Sequence, residues 1–368
     1  MAEYRSEILI CGGGVVGLTT AYVLAQRGVR VTVADVSATG QEASWAGAGM
    51  LPPGFRMNAD SAELRIRSYS HSLWPSFVQK LREQTGMDNG YVVCGAIEFP
   101  DSHQTCQSLL QSAVNDGVVA EQQLSSQLRP MVPGLGNEWQ SGVWLPQFAQ
   151  VRNPRHLQAL RAACVRLGVI IAEHQASLRL ERDEQKLVSA RSTTDVFRFD
   201  RVLVAAGSWS SLVLAELGIT IPVKPVRGQI VQLRMDRLPF RCVLEVGRRY
   251  LVPRPDGLIL IGSTEEDVGF QKANTADGVS SLLDFACSLV PELRQASIVK
   301  MWSGLRPYSS DELPLLGQIG DFQNLFIGTG HFRAGLQMSP ATGTILADLL
   351  TDNEPSISLD GLRADRFL

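Results

Sequence analysis

The sequence predicts an α/β protein in which a doubly wound, Rossmann-like domain accompanies a second α+β domain built on a large antiparallel sheet. Three observations predict this fold. A strand, a glycine turn, a helix and a second strand open the chain, strand patterns and a hairpin fill its middle, and a glycine-rich loop leads into a helix near its end. At 368 residues the chain is long enough for two domains of ordinary size.

The opening unit covers residues 7–35. Residues 7–11 form a short apolar run suited to a parallel strand buried on both faces, and residues 15–26 repeat apolar side chains with helical spacing. Gly28 follows that helix, and residues 29–35 alternate as a second strand that ends on Asp35. The unit has roughly the 30-residue size of a βαβ element that binds a mononucleotide.

The rest of the chain supplies further helices and strands and the domain boundaries. The other predicted helices are residues 63–84, residues 154–167, and a C-terminal segment that ends near Leu350, with Ser339 as its cap and Pro340 in its first turn. The predicted strands are residues 91–99, 201–206, 229–235 and 325–327, and a hairpin of residues 243–253 and 258–263. Because the nucleotide-binding elements lie at both ends and in the middle, we expect a discontinuous cofactor-binding domain (residues 1–84, 146–221 and 303–368) and a substrate-binding domain (residues 85–145 and 222–302).

Composition and charge argue against several classes of function. The chain carries 34 Lys and Arg against 37 Asp and Glu, so it lacks the basic surplus that a nucleic-acid partner requires. The six cysteines contain no C-x-x-C pair and the five histidines no H-x-H or H-x-x-x-H spacing. We therefore expect no nucleic acid, no metal site and reduced thiols.

The uncharged stretch of residues 8–26 imitates a signal peptide or a short membrane span. It contains four glycines that a spanning helix does not need, and a buried strand followed by a glycine turn and a helix accounts for it better. We expect no transmembrane segment and a cytoplasmic protein.

Gly12, Gly14 and Gly17 form G-x-G-x-x-G between a strand and a helix, the context in which this pattern indicates a dinucleotide site. The first glycine permits the tight turn, the second lets the backbone approach a pyrophosphate, and the third allows close helix packing. Asp35, 18 residues beyond Gly17, can accept hydrogen bonds from a ribose diol and would repel a 2′-phosphate. These residues favour FAD or NAD over NADP.

Further glycine-rich loops distinguish between FAD and NAD as the predicted ligand. Residues 44–50 (S-W-A-G-A-G-M) can lie flat against a planar ligand, and residues 203–209 (L-V-A-A-G-S-W) place a glycine after an apolar strand. Residues 328–343 lead a loop into a helix whose N-terminal amides would stabilise the negative charge of a reduced flavin. These loops favour FAD, with an NAD-dependent dehydrogenase as the alternative.

Five motifs carry a family resemblance: G-x-G-x-x-G, S-W-A-G-A-G-M-L, V-A-A-G-S-W-S, W-S-G-L-R-P at residues 302–307, and G-H-F-R-A-G-L followed by P-A-T-G. With them the chain resembles the FAD-dependent amino acid oxidases of the D-amino acid oxidase superfamily, and within it the glycine oxidases of bacterial thiamine biosynthesis. The resemblance is weaker from residue 88 to 142. It implies FAD between the two domains, and neither loop near the ring contains a cysteine for a covalent bond. The implied FAD-binding residues are Gly12, Gly14, Val15, Val16, Gly17, Asp35, Ser44, Ala46, Ala48, Gly49, Met50, Ala206, Gly207, Trp209, Gly330, Arg333, Ala334, Gly335 and Leu336.

The resemblance also implies a substrate site. Arg306 matches the arginine that clamps the substrate carboxylate, and Tyr250 matches a tyrosine that hydrogen-bonds the same group. Arg333 matches a position beside the flavin and the substrate. Glu245 and Glu265 depart from the family pattern: either one lines the pocket and holds a substrate ammonium or a basic side chain, or both are solvated hairpin residues.

The implied reaction oxidises the Cα–N bond of a small amino acid such as glycine, sarcosine or a D-amino acid. The imine hydrolyses to a 2-oxo acid with release of ammonia or an amine, and O2 is reduced to H2O2. Two alternatives stay open. One is an FAD-dependent D-amino acid or amine dehydrogenase that uses a quinone or carrier acceptor, for which a larger or basic D-amino acid is one candidate substrate. The other is a non-catalytic flavoprotein, against which Arg306 argues. We expect a homo-oligomer.

Overall fold

The computed structural model describes residues 2–54, 61–101 and 103–367, and its sheets and helices confirm the predicted α/β class. The α-helices in this part of the chain are α1 (Val15–Gln26), α2 (Ala43–Ala46), α3 (Ala62–Thr85), α4 (Cys106–Asp116), α5 (Ser125–Met131), α6 (Asn153–Arg166), α7 (Ser210–Ala215), α8 (Ala276–Leu289) and α9 (Gly335–Leu350). The strands are β1 (Ala2–Arg5), β2 (Ile8–Cys11), β3 (Val31–Ala34), β4 (Met50–Leu51), β5 (Val92–Val93), β6 (Ala96–Phe99), β7 (Glu121–Leu124), β8 (Ser141–Leu145), β9 (Ala149–Gln150), β10 (Ile170–Ala172), β11 (Arg179–Asp183), β12 (Lys186–Arg191), β13 (Asp195–Arg198), β14 (Arg201–Val204), β15 (Val223–Arg234), β16 (Val243–Val246), β17 (Arg249–Pro253), β18 (Leu258–Gly262), β19 (Ser297–Ser309), β20 (Leu315–Gln318) and β21 (Leu325–Thr329).

A six-stranded sheet in the order β10-β3-β2-β14-β21-β20 forms the first part of the molecule, and all its strands are parallel except β20. Both faces are covered, as expected for a parallel sheet. Ile8 and Ile10 of β2 pack with α1, α3, α6 and α9, whereas Leu9 and Cys11 pack against Phe197 and its neighbours in the four-stranded sheet β1-β13-β12-β11. This alternation explains why the opening strand is apolar at every position.

An eight-stranded sheet in the order β19-β15-β18-β17-β16-β6-β8-β7 forms the second part. Neighbouring strands are antiparallel except for β16 and β6. Helix α8 covers one face through Leu282, Phe285 and Leu289. The opposite face carries Tyr250 and Trp302 and packs against the loop after α2. Strand β19 continues across the expected domain boundary between residues 302 and 303.

Several predicted elements are confirmed within one or two residues, among them α1, α3, α6 and β14. Two strand predictions are wrong. Residues 91–99 divide into β5 and β6, which belong to different sheets. Residues 243–253 are two antiparallel strands, because the chain turns at Gly247, where φ is +54°.

The predicted start of the C-terminal helix is also wrong. Helix α9 begins at Gly335, so Ser339 and Pro340 lie inside it. Proline has no N–H to donate to the carbonyl of Leu336, and the Ser339 hydroxyl donates to that carbonyl instead at 2.8 Å. The serine thus compensates for the proline, and the helix can start one turn earlier.

No helix among residues 2–54, 61–101 and 103–367 combines the length and the apolar character that crossing a membrane requires. The same residues contain no group of three or more His, Cys, Asp or Glu side chains arranged to hold a metal ion. All six cysteines are unpaired.

Candidate active site

A cavity of about 710 Å³ lies between the two large sheets. One wall consists of the turns that follow β2, β3, β14 and β21, at the carboxyl edge of the parallel strands. The other wall is the face of the eight-stranded sheet that carries Tyr250. Ligands of doubly wound sheets bind at this edge.

The glycines of the first motif form the turn at this edge. Gly12 has a φ of +113°, and a Cβ there would lie 2.4 Å from the Ala205 carbonyl oxygen. A Cβ on Gly17 would lie 2.0 Å from the Gly12 carbonyl oxygen, so Gly17 serves close packing and does not line the cavity. Gly14 caps α1 without a side-chain hydrogen bond, and Val15 and Val16 follow it on the cavity wall.

Asp35 lines the cavity at the end of β3. Its carboxylate accepts hydrogen bonds from the backbone N–H of Gly13 at 2.7 Å and of Ser37 at 2.9 Å. Burial raises the pKa of Asp35, and these two hydrogen bonds oppose the increase. The structure therefore holds this carboxylate in a fixed orientation toward the cavity.

The small-residue loop around α2 forms a second part of this wall. Ser44, Ala46, Ala48, Gly49 and Met50 all line the cavity. The loop is anchored at both ends: the Ser44 hydroxyl accepts a hydrogen bond from the backbone N–H of Val15 at 2.9 Å, and the Arg254 guanidinium donates to the Ala48 carbonyl at 2.6 Å.

Two further predicted segments reach the cavity. Ala206, Gly207 and Trp209 follow β14, and Arg333, Ala334, Gly335 and Leu336 follow β21. Gly330 does not line the cavity; it turns the chain after β21 with a φ of +80°. Ala334 caps α9 without a side-chain hydrogen bond, as Gly14 does for α1.

The N-termini of α1 and α9, whose N-cap residues make no side-chain hydrogen bond, therefore open on one cavity, beside a turn in which Gly12 leaves no room for a Cβ. Both features suit negatively charged groups. A pyrophosphate at α1 and the pyrimidine edge of a flavin at α9 fit them, so the residues present fit FAD.

Arg306 enters the cavity from the opposite wall, on β19. Its guanidinium donates to the Ser263 hydroxyl at 2.6 Å and to the Thr264 carbonyl at 3.1 Å. It lies over Gly228, where a Cβ would be 2.1 Å from Nη2. Burial lowers the pKa of Arg306. Of the described arginines on the cavity wall, Arg306 is the one with no carboxylate partner.

Tyr250 stands beside Arg306. Its hydroxyl leans over Gly262, since a Cβ there would lie 2.4 Å from the Tyr250 Oη. Burial raises the pKa of Tyr250, and the positive charge of Arg306 opposes the increase. A guanidinium and a phenol that lie side by side over two glycines can bind one carboxylate together.

The structure separates the two carboxylates that depart from the family pattern. Glu245 lines the cavity and Glu265 does not. Glu265 binds Arg333 through one oxygen and Arg248 through the other, the latter at 2.7 Å. Arg333 lines the cavity with its guanidinium paired to Glu265.

The comparisons with known proteins agree with this geometry. Residues 7–349 match the model of the family described as FAD dependent oxidoreductase (DAO). The chain belongs to this family. It is 37% identical over 354 residues to a glycine oxidase of Pseudomonas aeruginosa, an alignment that covers 95% of this chain and 96% of that protein. It is 33% identical to the bifunctional protein ThiO/ThiG of Trichormus variabilis, covering 98% of this chain and 55% of the relative.

A solved structure gives the same assignment. The crystal structure of glycine oxidase from Geobacillus kaustophilus superposes with a TM-score of 0.92 and 29% identity, covering 99% of this chain and all of the other. The predictions of the D-amino acid oxidase family, its fold and its FAD cofactor are confirmed.

Sequence reasoning missed residues that position this family's cofactor loop and substrate wall. Asn153 donates from Nδ2 to the Ser44 carbonyl at 2.7 Å, and Arg254 also binds the Val151 carbonyl at 3.1 Å. Ser263 holds the Arg306 guanidinium. Asn153 lies 109 residues from Ser44 in the sequence, and Arg254 lies 206 residues from Ala48. No local motif therefore predicts these contacts.

Proposed function

We propose that this FAD-dependent oxidoreductase oxidises the Cα–N bond of a small amino acid. The main observation behind this proposal is the environment of Arg306. Its guanidinium lies on the cavity wall beside Tyr250 and has only neutral hydrogen-bond partners. The relatives named glycine oxidase support an amino acid as the substrate. O2 is the electron acceptor in this proposal, and H2O2 is the second product.

The cofactor is held by the wall of the parallel sheet. Backbone groups of the turn at Gly12 and Gly14, with Val15 and Val16 of α1, would hold the pyrophosphate, and Asp35 would bind a ribose. The loop Ser44–Met50, the turn at Ala206, Gly207 and Trp209, and the amides of residues 333–336 would hold the rest of the cofactor. FAD bound there would supply a two-electron acceptor for the hydride of the α-carbon and pass the electrons to O2.

Arg306 and Tyr250 bind and orient the substrate. Two parallel N–H donors of Arg306 hold the carboxylate in one plane, and the Tyr250 hydroxyl donates a third hydrogen bond. This fixes the α-carbon against rotation, so that its C–H bond points across the cavity. The amine loses one proton as the C=N bond forms, and water then hydrolyses the imine to a 2-oxo acid and ammonia.

The proposal includes five further predictions. The cofactor-binding domain comprises residues 1–84, 146–221 and 303–368, and the substrate-binding domain comprises residues 85–145 and 222–302. FAD is bound without a covalent link. The protein is cytoplasmic and assembles as a homo-oligomer. Its product enters the thiamine route to which the resemblance points.

Anaerobic reduction of the purified yellow protein tests the function. We expect at least one member of a panel of glycine, sarcosine, D-amino acids and D-proline to bleach the flavin absorbance, and air to restore it with one H2O2 per turnover. If no amino acid bleaches the flavin, the proposed function is wrong. If bleaching occurs but only an added quinone restores the colour, the acceptor is wrong. Acid precipitation should leave the yellow colour in the supernatant.

A further inference from the structure

Glu245 is the carboxylate that the proposed mechanism does not use. It lies on β16 and lines the cavity. The other carboxylates of that wall in the described residues have partners: Asp35 binds backbone N–H groups, Glu42 binds Lys272 at 2.8 Å, and Glu216 lies 3.9 Å from Arg179. Glu245 has neither an ion pair nor a hydrogen bond in the part of the chain that the structure describes.

The environment of Glu245 disfavours its negative charge. Burial raises the pKa of Glu245 to about 8, and the neighbouring Glu98 adds to the increase. Glu98 lies directly beside it on β6, and burial raises the pKa of Glu98 as well. Two adjacent carboxyl groups without a cation are costly in the absence of a ligand.

Strand register fixes where Glu245 lies relative to Arg306. Glu245 is directly opposite Tyr250, and Tyr250 is directly opposite Gly262. Residues paired in this way share one face of the sheet. The Tyr250 hydroxyl leans toward Gly262 and therefore away from Glu245. Arg306 belongs to β19, four strands from β16, but its guanidinium reaches across Gly228 of β15 to Ser263 at the end of β18. Glu245 thus lies about two strand spacings, or roughly 10 Å, from the end of β18, where the guanidinium is held.

Most, but not all, of the charged side chains that line the cavity have partners. Glu265 forms ion pairs with both Arg248 and Arg333, and Glu63 binds Arg67 at 2.6 Å. In the described part of the cavity lining this leaves Arg306 as the cation without an ionic partner, and Glu245 as the carboxylate that has neither an ion pair nor the backbone hydrogen bonds that hold Asp35. A ligand that satisfies both must carry a carboxylate at one end and a cationic group at the other.

We propose that Glu245 is a specificity-determining residue that binds a cationic group at the distal end of the substrate. The inference rests on the proposed function and narrows it to amino acids whose side chain or amino substituent carries a positive charge about four to five bonds from the carboxylate. Glycine is too short to span the roughly 10 Å between β16 and the end of β18, where the Arg306 guanidinium is held. A neutral side chain of the same length would leave Glu245 without a partner.

The test compares amino acids of equal length and different charge. Rapid-reaction flavin reduction is measured with the holoenzyme and both enantiomers of two matched pairs, 2,4-diaminobutyrate with norvaline and ornithine with norleucine. We expect the cationic member of each active pair to show a kcat/KM about 10- to 100-fold higher than its neutral match, mostly through KM. Equal values for the two members would overturn the proposal.

Two variants locate the effect. Glu245→Gln keeps the shape and removes the charge, and we expect it to abolish the preference for the cationic substrate. Glu121→Gln removes an exposed carboxylate from β7 of the same sheet and should keep the preference of the parent. A Glu245→Gln protein that keeps the full preference would show that another residue selects the charge.

A binding measurement covers the case in which a variant is poorly made or no substrate turns over. 5-Aminopentanoate carries both charges but has no α-amino group, and pentanoate lacks the ammonium. We expect 5-aminopentanoate to perturb the flavin absorbance of the parent at a concentration about 10-fold lower than pentanoate does. Equal affinities would refute the proposal, since the ammonium would then gain nothing from Glu245. Binding without any amino acid oxidation would refute the proposed function and leave the acidic subsite standing.

Discussion

The two walls of the cavity are built from different chemical groups. The wall of the parallel sheet is mostly backbone, with glycines at the turn and two helix N-termini whose N-cap residues make no side-chain hydrogen bond. The wall of the antiparallel sheet consists of side chains that project from separate strands: Glu245 from β16, Tyr250 from β17 and Arg306 from β19.

This difference separates two tasks. Backbone amides at a tight turn recognise phosphates that every FAD carries, and they need small residues rather than particular side chains. Side chains on a broad sheet can be exchanged one at a time without disturbing the strands. We call the wall of the parallel sheet the cofactor wall and that of the antiparallel sheet the substrate wall. Substitutions that add volume should be most harmful in the cofactor wall, and substitutions that change charge should be most harmful in the substrate wall.

The largest effect is expected at the glycine turn. Gly12→Ala forces a Cβ to within 2.4 Å of the Ala205 carbonyl at a φ of +113°, and we expect a loss of stability of about 3 kcal/mol or more, with loss of FAD. Gly28→Ala is the matched control, because Gly28 also has a positive φ, +82°, but nothing lies within 4 Å of a Cβ there. It should cost only about 1 kcal/mol. Thermal unfolding and FAD titration measure both, and equal losses would mean that crowding at Gly12 is unimportant.

Arg306→Lys tests the role of side-chain geometry in the substrate wall. Lysine keeps the charge but loses the two-pronged geometry, and an error near 1 Å at the reacting atoms can reduce the rate about 100-fold. We expect kcat/KM for the best amino acid to fall by about that factor while the FAD content stays the same. Arg234→Lys, an exposed position on β15, serves as the control. A Lys variant that is reduced as fast as the parent, with equal substrate affinity, would remove Arg306 from the mechanism.

Asp35→Ala removes a carboxylate side chain from the cofactor wall. Loss of hydrogen bonds from a ribose to a charged acceptor should weaken FAD binding by about 1.5 to 3 kcal/mol. The variant should accumulate as apoprotein and be rescued by added FAD, with kcat restored at saturation. Titration of apoprotein gives the dissociation constant; a value equal to that of the parent would mean that the ribose lies elsewhere.

The two walls should respond to pH in opposite directions. Burial lowers the pKa of His331 to about 4, so the unfolded chain binds more protons than the folded one below pH 6.5, and this contribution to stability is lost as the pH falls. Burial raises the pKa of Glu245 to about 8, so its folded form keeps a proton that the unfolded chain releases above pH 4.5, and stability falls as the pH rises toward 8.

Glu245→Gln should therefore stabilise the FAD-loaded protein by about 1 to 3 kcal/mol at pH 9 and leave it nearly unchanged at pH 5. His331→Gln should reduce the loss of stability between pH 6.5 and pH 4 without affecting the alkaline side. Denaturant unfolding across this pH range measures both. A stabilisation by Glu245→Gln that is the same at pH 5 and pH 9 would show that its carboxyl does not titrate as stated.

The cofactor wall was the more predictable of the two. Helix α1 begins and ends at the predicted residues, and the glycine turn precedes it as expected, because all the contacts that define this unit lie within about 30 residues. The start of α9 was missed by five residues because the Ser339 hydroxyl satisfies the carbonyl that Pro340 leaves without a donor. A cap residue and an internal compensating residue look alike in sequence.

The sequence by itself determined the dinucleotide turn, the family and the cofactor, because each depends on a local run of small residues that chain neighbours arrange. Only the tertiary structure decided which carboxylate faces the cavity. Glu245 and Glu265 flank the same strands in sequence, yet Glu265 is drawn out of the cavity by Arg248 and Arg333, the second of them 68 residues away. The register of β16 and β17 turns Glu245 inward beside Tyr250. Long-range ion pairing and strand register leave no pattern in the local sequence, which is why the two residues could not be told apart before the fold was known.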